Sequence, residues 1–457
     1  MSLTRRHFLV SAAATGLAPA AAHGAGPVAL TAAEGVARLT PEPYGPTRVW
    51  AYDGTAPGPV IRLRRGGRVT RRLINALPQP TTVHWHGIRI ANAMDGVPGV
   101  TQEAVSPEAD FLYDFDANDA GTYWYHPHVR SWEQVDRGLS GALIVEEEAP
   151  PEVDRDEVLL LDDWRLDEQA QIHDSFDSMH DRSHAGRIGN HVTVNGNPAH
   201  GLTVRRHHRL RLRLVNAANA RIFDIGLKGL AGWVAALDGQ PLAVPEPMTR
   251  LSLAPAQRAD LVLDVTEDEA DEAFLISHER GGDFALTTLR IDGAARPARL
   301  AEMRPLPPND LPPIAGLDGA ATATLTMEGG AMGGMRAAVL DGVETDIREL
   351  VRSGRAWALN GVAGVPEAPL LTARLGQTVR IALVNDTAWP HAMHLHGHHF
   401  RMVGKDGSFG PLRDTVLLDR QARGEIAFVA DNPGDWLFHC HMLEHAAAGM
   451  STWLRVV

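Results

Sequence analysis

The chain has 457 residues, which is enough for about three domains at roughly 150 residues each. Its hydrophobic fraction of 44% and charged fraction of 22% are globular values that exclude a disordered or collagen-like chain, and its 44 Gly and 30 Pro favour a turn-rich β fold. The formal net charge of -13 argues against a nucleic-acid partner, and the single cysteine, Cys440, excludes an intramolecular disulfide and a Cys-only metal cluster.

An export signal is predicted over residues 1–22. Arg5 and Arg6 form a twin-arginine pattern before a short apolar run, and alanines at 20–22 provide a small-residue cleavage site. The run is mostly alanine and shorter than the ~20 residues of a spanning helix, so export is favoured over membrane anchoring. No later segment is apolar enough to span a membrane, so we expect a periplasmic mature protein delivered by the twin-arginine route.

Three later stretches resemble one another, over residues 52–87, 194–216 and 359–397. Each begins with an Asp-Gly or Asn-Gly pair, continues with alternating apolar and polar residues and reaches an asparagine. In the first and third stretches, the first histidine of a His-x-His pair stands nine positions after that asparagine (Asn75, Asn385). Such self-similarity indicates duplicated units, and the two-residue alternation predicts strands with one buried face.

Proline- and charge-rich linkers near residues 150 and 310 divide the chain into three domains of common ancestry, each expected to be a β-sandwich. The predicted domains span residues 23–150, 151–310 and 311–457. The middle copy lacks a His-x-His pair and is expected to be a spacer on the substrate side. One convincing helix is predicted, around residues 345–351.

Histidine pairs carry the predicted chemistry. Four of them stand at repeat-related positions, His84/His86, His126/His128, His394/His396 and His439/His441. Residues i and i+2 of a strand point to the same face, so each pair aims two imidazoles in one direction. One pair alone would be read as a solvated strand face. Four pairs at repeat-related positions predict eight imidazoles converging between the first and third domains on a small metal cluster.

Cys440 lies between two of these histidines, on the opposite face of its strand. There it can join His391 and His445, with Met450 nearby in the sequence. One Cys, two His and a weak axial Met form the ligand set of a blue-copper electron-transfer centre. Alone, the Cys would be a small buried hydrophobe and the Met a core residue, but the flanking histidines favour the metal site. Pro127 takes the matching place in the first domain, so no such centre is expected there.

This combination resembles the multicopper oxidases, specifically their three-domain, laccase-like bacterial branch. The resemblance covers the mature chain and rests on four motifs, His84-Trp85-His86-Gly87, His126-Pro127-His128, His391-Ala392-Met393-His394-Leu395-His396 and His439-Cys440-His441-Met442-Leu443-Glu444-His445 with Met450. It implies an all-β chain of three cupredoxin-like Greek-key β-sandwich domains. It also implies an oxidoreductase with four copper ions that uses dioxygen and a small reducing substrate.

The resemblance further implies how the ligands divide. The type 1 copper would be held by His391, Cys440, His445 and Met450, and the type 2 copper by His84 and His394. One type 3 copper would be held by His86, His126 and His441, and the other by His128, His396 and His439. The family takes single electrons from its substrate at the type 1 site and reduces dioxygen to two waters at the trinuclear cluster of the other three ions.

Protons must also reach that cluster. Asp95 matches an acidic residue that the family places near the type 2 copper, and we expect it to orient water and relay protons, although an ordinary Asp-Gly turn would have the same sequence. Many bacterial relatives carry an acid directly after the second type 1 histidine. Here that place is Ala446, so the usual proton donor is missing.

The substrate class stays open between two alternatives. Trp389, just before His391, suggests an aromatic wall for phenols or aromatic amines, and this reading is preferred. The alternative is oxidation of Cu(I) for copper tolerance. Met327, Met332 and Met335 could serve it but are read as a flexible connector, and the histidines of residues 173–191 are read as solvent-exposed. A pure copper carrier would need the type 1 set alone. The sequence leaves the oligomeric state open.

Overall fold

The computed structural model describes residues 26–457, so the predicted export signal lies outside the described residues. The strands are β1 (Val28–Ala37), β2 (Thr47–Tyr52), β3 (Ile61–Arg64), β4 (Gly67–Ala76), β5 (His84–His86), β6 (Asp110–Ala117), β7 (Gly121–His126), β8 (Gly141–Glu146), β9 (Arg155–Trp164), β10 (His191–Val194), β11 (Gly201–Arg206), β12 (Arg209–Asn216), β13 (Phe223–Lys228), β14 (Leu230–Leu237), β15 (Gln240–Pro247), β16 (Arg250–Leu253), β17 (Arg258–Val265), β18 (Glu272–Ser277), β19 (Phe284–Ala294), β20 (Ala321–Gly329), β21 (Ala337–Leu340), β22 (Val343–Asp346), β23 (Trp357–Leu359), β24 (Leu371–Ala373), β25 (Thr378–Asn385), β26 (His391–Leu395), β27 (Phe400–Val403), β28 (Phe409–Arg413), β29 (Thr415–Leu418), β30 (Arg423–Val429), β31 (Gly434–Cys440) and β32 (Ser451–Val456). The helices are α1 (Ser131–Gln134), α2 (Met179–Ser183), α3 (Ile347–Arg352) and α4 (Leu443–Ala447), with a short 3₁₀ turn at Asn92–Met94. Within residues 26–457, no helix has the length and apolar character needed to cross a bilayer.

Each domain is built from two facing sheets. The sheet orders are β2-β1-β4-β6 and β3-β8-β7-β5 in the first domain, β10-β9-β12-β17-β14-β15 and β11-β19-β18-β13-β16 in the middle domain, and β23-β20-β25-β30-β27-β28 and β24-β32-β31-β26-β29 in the third. Each domain encloses its own large apolar cluster between these sheets. The predicted all-β fold of three cupredoxin-like sandwiches is confirmed.

The same pairing pattern recurs in all three domains. The otherwise antiparallel sheets each contain one parallel pair at the matching place, which is β1 with β4, β9 with β12, and β20 with β25. The facing sheets repeat the feature with β3 and β8, β11 and β19, and β24 and β32. Parallel neighbours need a long crossover, so this shared topology supports the duplication seen in the sequence.

One strand departs from the predicted burial. Strand β12 was expected to have a single buried face, but every residue from Arg209 to Asn216 is buried. Its arginines are buried because acids cover them: Arg209 bonds to Asp264, and Arg211 bonds to Glu147. Polar-apolar alternation therefore marked the two faces correctly but did not reveal that the polar face is covered by charge partners.

The helical prediction is confirmed with a shifted start. Helix α3 begins at Ile347, because the Asp346 side chain accepts from the backbone N–H groups of Arg348 and Glu349 and caps the helix. The preceding residues belong to β22. Helices α1, α2 and α4 have four or five residues each and were not predicted, since one turn of helix leaves too little periodicity to detect.

Candidate metal centre

The histidine pairs sit on neighbouring strands in the same register in both terminal domains. In the first domain, His84 of β5 lies opposite His126 of β7. In the third domain, His394 of β26 lies opposite His439 of β31. The first histidine of one pair therefore always faces the first histidine of the other, and the two domains present equivalent imidazole arrays.

The two arrays meet at the interface between the terminal domains. The ring centroids of His84 and His396 are 4.0 Å apart, and those of His86 and His394 are 3.8 Å apart. The Nε2 atoms of His126 and His441 approach to 3.3 Å across the same interface. The structure thus brings all eight predicted imidazoles together. His128, His396 and His439 form a compact triad that coincides with one predicted type 3 set.

Most rings are held from behind by an acceptor on one nitrogen. Nδ1 of His84 lies 2.8 Å from the carbonyl oxygen of Asp95, and Nδ1 of His396 lies 2.9 Å from the Asp95 carboxylate. The Nδ1 atoms of His394 and His439 meet the carbonyl oxygens of Asp414 and Cys440 at 2.9 Å each. Such contacts fix the tautomer and aim the other nitrogen into the cluster.

Several of the remaining ring nitrogens have no hydrogen-bond partner among the described residues. These buried atoms are Nε2 of His84, His128 and His394 and Nδ1 of His86 and His441. A buried polar atom without a partner is costly, so an array of such atoms facing one another calls for a ligand. Neutral imidazole nitrogens are good copper ligands, and the donor set therefore fits a small copper cluster.

Burial also keeps these rings in the metal-binding form. Desolvation lowers the pKa of His86, His126, His128, His394, His396 and His441, and lowers that of His439 to about 3. The lone pairs are consequently available near neutral pH without displacing a proton.

Cys440 occupies the other face of β31. Its Sγ lies 3.7 Å from Nδ1 of His391 and 3.7 Å from Nδ1 of His445, and those two nitrogens are 3.1 Å apart. Met450 is fully buried in the same apolar cluster as Cys440. Burial raises the pKa of the Cys440 thiol to about 12, so a bound metal ion would supply the charge that stabilises the thiolate.

Two residues of the site were missed by the sequence reasoning, Asp414 and Arg258. The Asp414 carboxylate lies 3.4 Å from Nε2 of His86 and 3.4 Å from Nδ1 of His394. Arg258, from the middle domain, grips that carboxylate with both of its terminal nitrogens. Neither residue stands in a recognisable motif, and the arginine is distant in sequence from every histidine pair, so only the tertiary structure reveals them.

The helix that contains Ala446, where the expected acid is missing, carries another acidic residue. Ala446 lies in α4, and the preceding acid of that helix, Glu444, is buried and accepts a hydrogen bond from Asn219 Nδ2 at 2.9 Å. Burial raises the pKa of Glu444 to about 7. The helix therefore retains a carboxyl group, although it faces the middle domain.

The Cys440 site is flanked by the middle domain. Nε2 of His445 donates to the carbonyl oxygen of His184 at 2.7 Å, and the His184 ring packs edge-on against Trp389 at 5.3 Å. The rings of His180 and His184 stack at 4.1 Å, with His180 exposed. The expectation of simple solvent exposure for residues 173–191 is therefore incomplete, because this segment packs against the metal site.

The methionine prediction is partly wrong. Met327 belongs to β20 and is fully buried in the core of the third domain, so it is part of neither a flexible connector nor a surface cluster. Met335 is half-buried, and Met332 is exposed. The alternation of β20, with buried positions at Leu325, Met327 and Gly329, explains why Met327 points inward.

Three sandwiches with an imidazole cluster shared by the first and last define a class of protein. Family models described as multicopper oxidase match residues 36–150, 155–293 and 341–457. The chain belongs to the multicopper oxidase family and is an oxidoreductase. Copper, dioxygen and a reducing substrate are what this family uses.

Individual relatives agree over nearly the full length. The chain is 31% identical to multicopper oxidase MmcO of Mycobacterium tuberculosis, over 99% of this chain and 97% of the relative. It is 26% identical to a copper resistance protein A homolog of Pseudomonas syringae pv. tomato, over 88% of each chain. The crystal structure of a multi-copper oxidase from Pseudomonas thermotolerans superposes with a TM-score of 0.81 at 32% identity, covering 94% of this chain and 98% of that one.

Proposed function

We propose that this chain couples the one-electron oxidation of a small reducing substrate to the four-electron reduction of dioxygen to water. Four copper ions would supply the redox chemistry, one at the Cys440 site and three among the eight imidazoles, divided among the ligands as the family resemblance implies. The domain limits near residues 150 and 310, and periplasmic delivery through the twin-arginine signal, belong to the same proposal.

One observation carries this function. Cys440 faces His391 and His445 on one side of β31, while its chain neighbours His439 and His441 face the imidazole cluster on the other. The two sites are therefore joined by a covalent path of one residue in each direction. Such a path lets electrons move between them without a diffusing carrier.

Asp95 supports the oxygen-reducing half. Its carboxylate accepts from His396, its backbone carbonyl accepts from His84, and its side chain is almost fully buried. We assign it the relay of protons to the cluster, in addition to holding these two rings. An ordinary Asp-Gly turn would leave such a carboxylate in solvent.

For the substrate, the first candidate is a phenol or an aromatic amine. Trp389 and His184 form an aromatic pair, and the His184 carbonyl accepts from His445 Nε2. An aromatic ring stacked on this pair would lie one hydrogen bond away from a ligand of the Cys440 site.

The second candidate is Cu(I), and a specific feature favours it. His180 of α2 and His184, the residue that follows α2, are four residues apart with stacked rings, and two histidines at this spacing can share a metal ion. Met332 adds an exposed thioether, and its neighbour Ala331 donates its backbone N–H to the Ser183 carbonyl of the same segment. One relative is named a copper resistance protein A homolog.

Oxygen uptake by the copper-loaded protein tests the function and separates the two substrates. We expect oxygen uptake with a phenol such as 2,6-dimethoxyphenol, and the absence of uptake with both substrates would overturn the oxidase assignment. Uptake with Cu(I) alone would overturn the preferred substrate.

A loop variant then locates the site. Replacing both His180 and His184 by Ala should slow Cu(I) oxidation selectively if copper is the substrate, whereas the His173→Ala control, in the same segment, should leave the rate unchanged.

A further inference from the structure

One contact between the middle domain and the imidazole cluster runs through a buried arginine. Arg258, the first residue of β17, is fully buried where the three domains meet. Its Nε donates to the carbonyl oxygen of Thr122 in the first domain at 3.2 Å, and its Nη1 donates to the carbonyl oxygen of Ala256 at 3.0 Å. The guanidinium is thus fixed before its contact with the third domain is considered.

That contact is a two-point grip on Asp414. Nη1 of Arg258 donates to Oδ1 at 2.9 Å, and Nη2 donates to Oδ2. The Thr415 hydroxyl adds a third hydrogen bond to Oδ1 at 2.8 Å. Both side chains of the ion pair are completely excluded from solvent. Paired N–H groups of this kind fix the plane of a carboxylate, which a single charged donor does not do.

The gripped carboxylate stands directly behind two imidazoles of the cluster. Its Oδ1 lies 3.4 Å from Nε2 of His86 and 3.4 Å from Nδ1 of His394, which belong to different domains. The backbone carbonyl of the same aspartate holds His394 Nδ1 at 2.9 Å. One residue therefore orients one ring from each half of the cluster, and the arginine decides how that residue points.

The first domain leaves room for this pair at Gly87. A Cβ added there would lie 2.1 Å from Arg258 Nη2 and 2.6 Å from Asp414 Oδ2. Gly87 also has a φ of 85°, which side chains rarely adopt. Glycine at the position after the first His-x-His pair thus leaves space for the ion pair, so all three domains contribute to the same arrangement.

We propose that Arg258 is a positioning residue of the trinuclear site, acting through Asp414 to orient His86 and His394, so that the middle domain completes the cluster. A buried carboxylate that loses its cation becomes an uncompensated charge. It would then turn toward the nearest positive charge, which in the loaded protein is the metal, and would cease to hold the two rings in place. This inference rests on the proposed copper cluster.

Arg258→Gln tests the proposal, with Arg209→Gln as the matched control. Arg209 lies in the same domain and makes an equivalent two-point pair with Asp264, with both side chains almost fully buried. Asp264 is six residues from Arg258 along β17, which corresponds to about 20 Å. Both variants remove a buried middle-domain arginine from its carboxylate partners, which are Asp264 for Arg209 and Asp414 and Asp238 for Arg258. Only Arg258→Gln removes a partner of Asp414.

The readouts are copper retention against a chelator and the electron paramagnetic resonance spectrum of the loaded protein. In Arg258→Gln we expect the trinuclear ions to be retained about 10- to 100-fold more weakly, with a changed type 2 signal and an unchanged type 1 signal. Arg209→Gln should match the wild type in both. Retention equal to that control would overturn the proposal.

Two further variants decide the question if Arg258→Gln does not fold. Arg258→Lys keeps the charge without the paired geometry, and we expect an intermediate loss of copper retention. Wild-type retention in this variant would overturn the geometric role. Asp414→Asn, alone and combined with Arg258→Lys, should give non-additive losses, because both changes act on one contact, and additive losses would overturn the proposed route. A wild-type protein that takes up no copper would instead refute the proposed function.

Discussion

The first and third domains carry equal numbers of cluster histidines in the same strand register, yet only the third contains a thiol. His84 opposite His126 and His394 opposite His439 are equivalent pairs. At the position of that thiol, Pro127 stands in the first domain where Cys440 stands in the third. Both terminal domains therefore keep half of the histidine cluster, whereas only the third domain has the cysteine site.

The residues around that position also differ between the two domains. Cys440 has His391 and His445 within 3.7 Å of its Sγ. At the positions that match His391 and His445, the first domain has Thr81 and Trp132. The Thr81 hydroxyl bonds to Gln134, so the site there is an ordinary polar contact within the domain.

Removing the thiol should have the largest effect. We expect Cys440→Ser to abolish the intense blue absorption and to reduce turnover below detection, because a serine hydroxyl is a poor copper ligand and the path between the sites loses its sulfur. The cluster ions should remain, since their imidazoles lie on the other strand face. Visible absorption, copper content and oxygen uptake measure the three expectations. A blue, active Cys440→Ser protein would contradict the assignment of the thiol.

The reciprocal change sharpens the comparison. Pro127→Cys places a thiol at the matching position without supplying the two histidines. We expect no second blue centre and no additional copper per chain. An added blue band would show that the companion ligands matter less than the strand position.

The sequence predicted the histidines and the cysteine of the site more fully than the residues that hold them in place. The His-x-His pairs were predictable because i and i+2 share a strand face, and the Cys because it must lie on the opposite face. The ion pair of Arg258 and Asp414 was not predictable, since it joins the middle and third domains, and their approach depends on how whole domains pack. Met327 was misjudged for a related reason, because a glycine-rich neighbourhood hid the strand that buries it.

The next effect concerns Asp95, which touches one histidine from each terminal domain. Asp95→Asn keeps an oxygen that can accept from His396 but removes a group able to relay a proton. We expect turnover to fall about 10²- to 10⁴-fold, with copper content and blue absorption preserved.

The matched control is Asp119→Asn, a buried carboxylate of the same domain that bonds to Arg89 instead of to a histidine. It should retain turnover per copper-loaded molecule. Full turnover in a fully loaded Asp95→Asn protein would remove the relay assignment.

The smallest effect separates the middle domain from the two terminal ones. Burial, together with the charges of Asp163 and Asp136, raises the pKa of Asp162 in β9 well above its ordinary value. The folded state therefore binds a proton that the unfolded chain releases near pH 4, so this group lowers stability as the pH rises above about 4. Asp162→Asn should raise the free energy of unfolding by about 1–3 kcal/mol at pH 7 and leave it unchanged at about pH 4.

Thermal unfolding at pH 4 and pH 7 measures this difference, and copper content provides the contrast with Arg258. We expect Asp162→Asn to stabilise the chain without altering copper retention, whereas Asp264→Asn should destabilise it by stranding Arg209. A change of copper retention in Asp162→Asn would mean that the middle domain influences the cluster through its overall stability. Arg258 would then lose its distinction from other buried charges of that domain, because only a local contact predicts that one buried charge affects the metal and another does not.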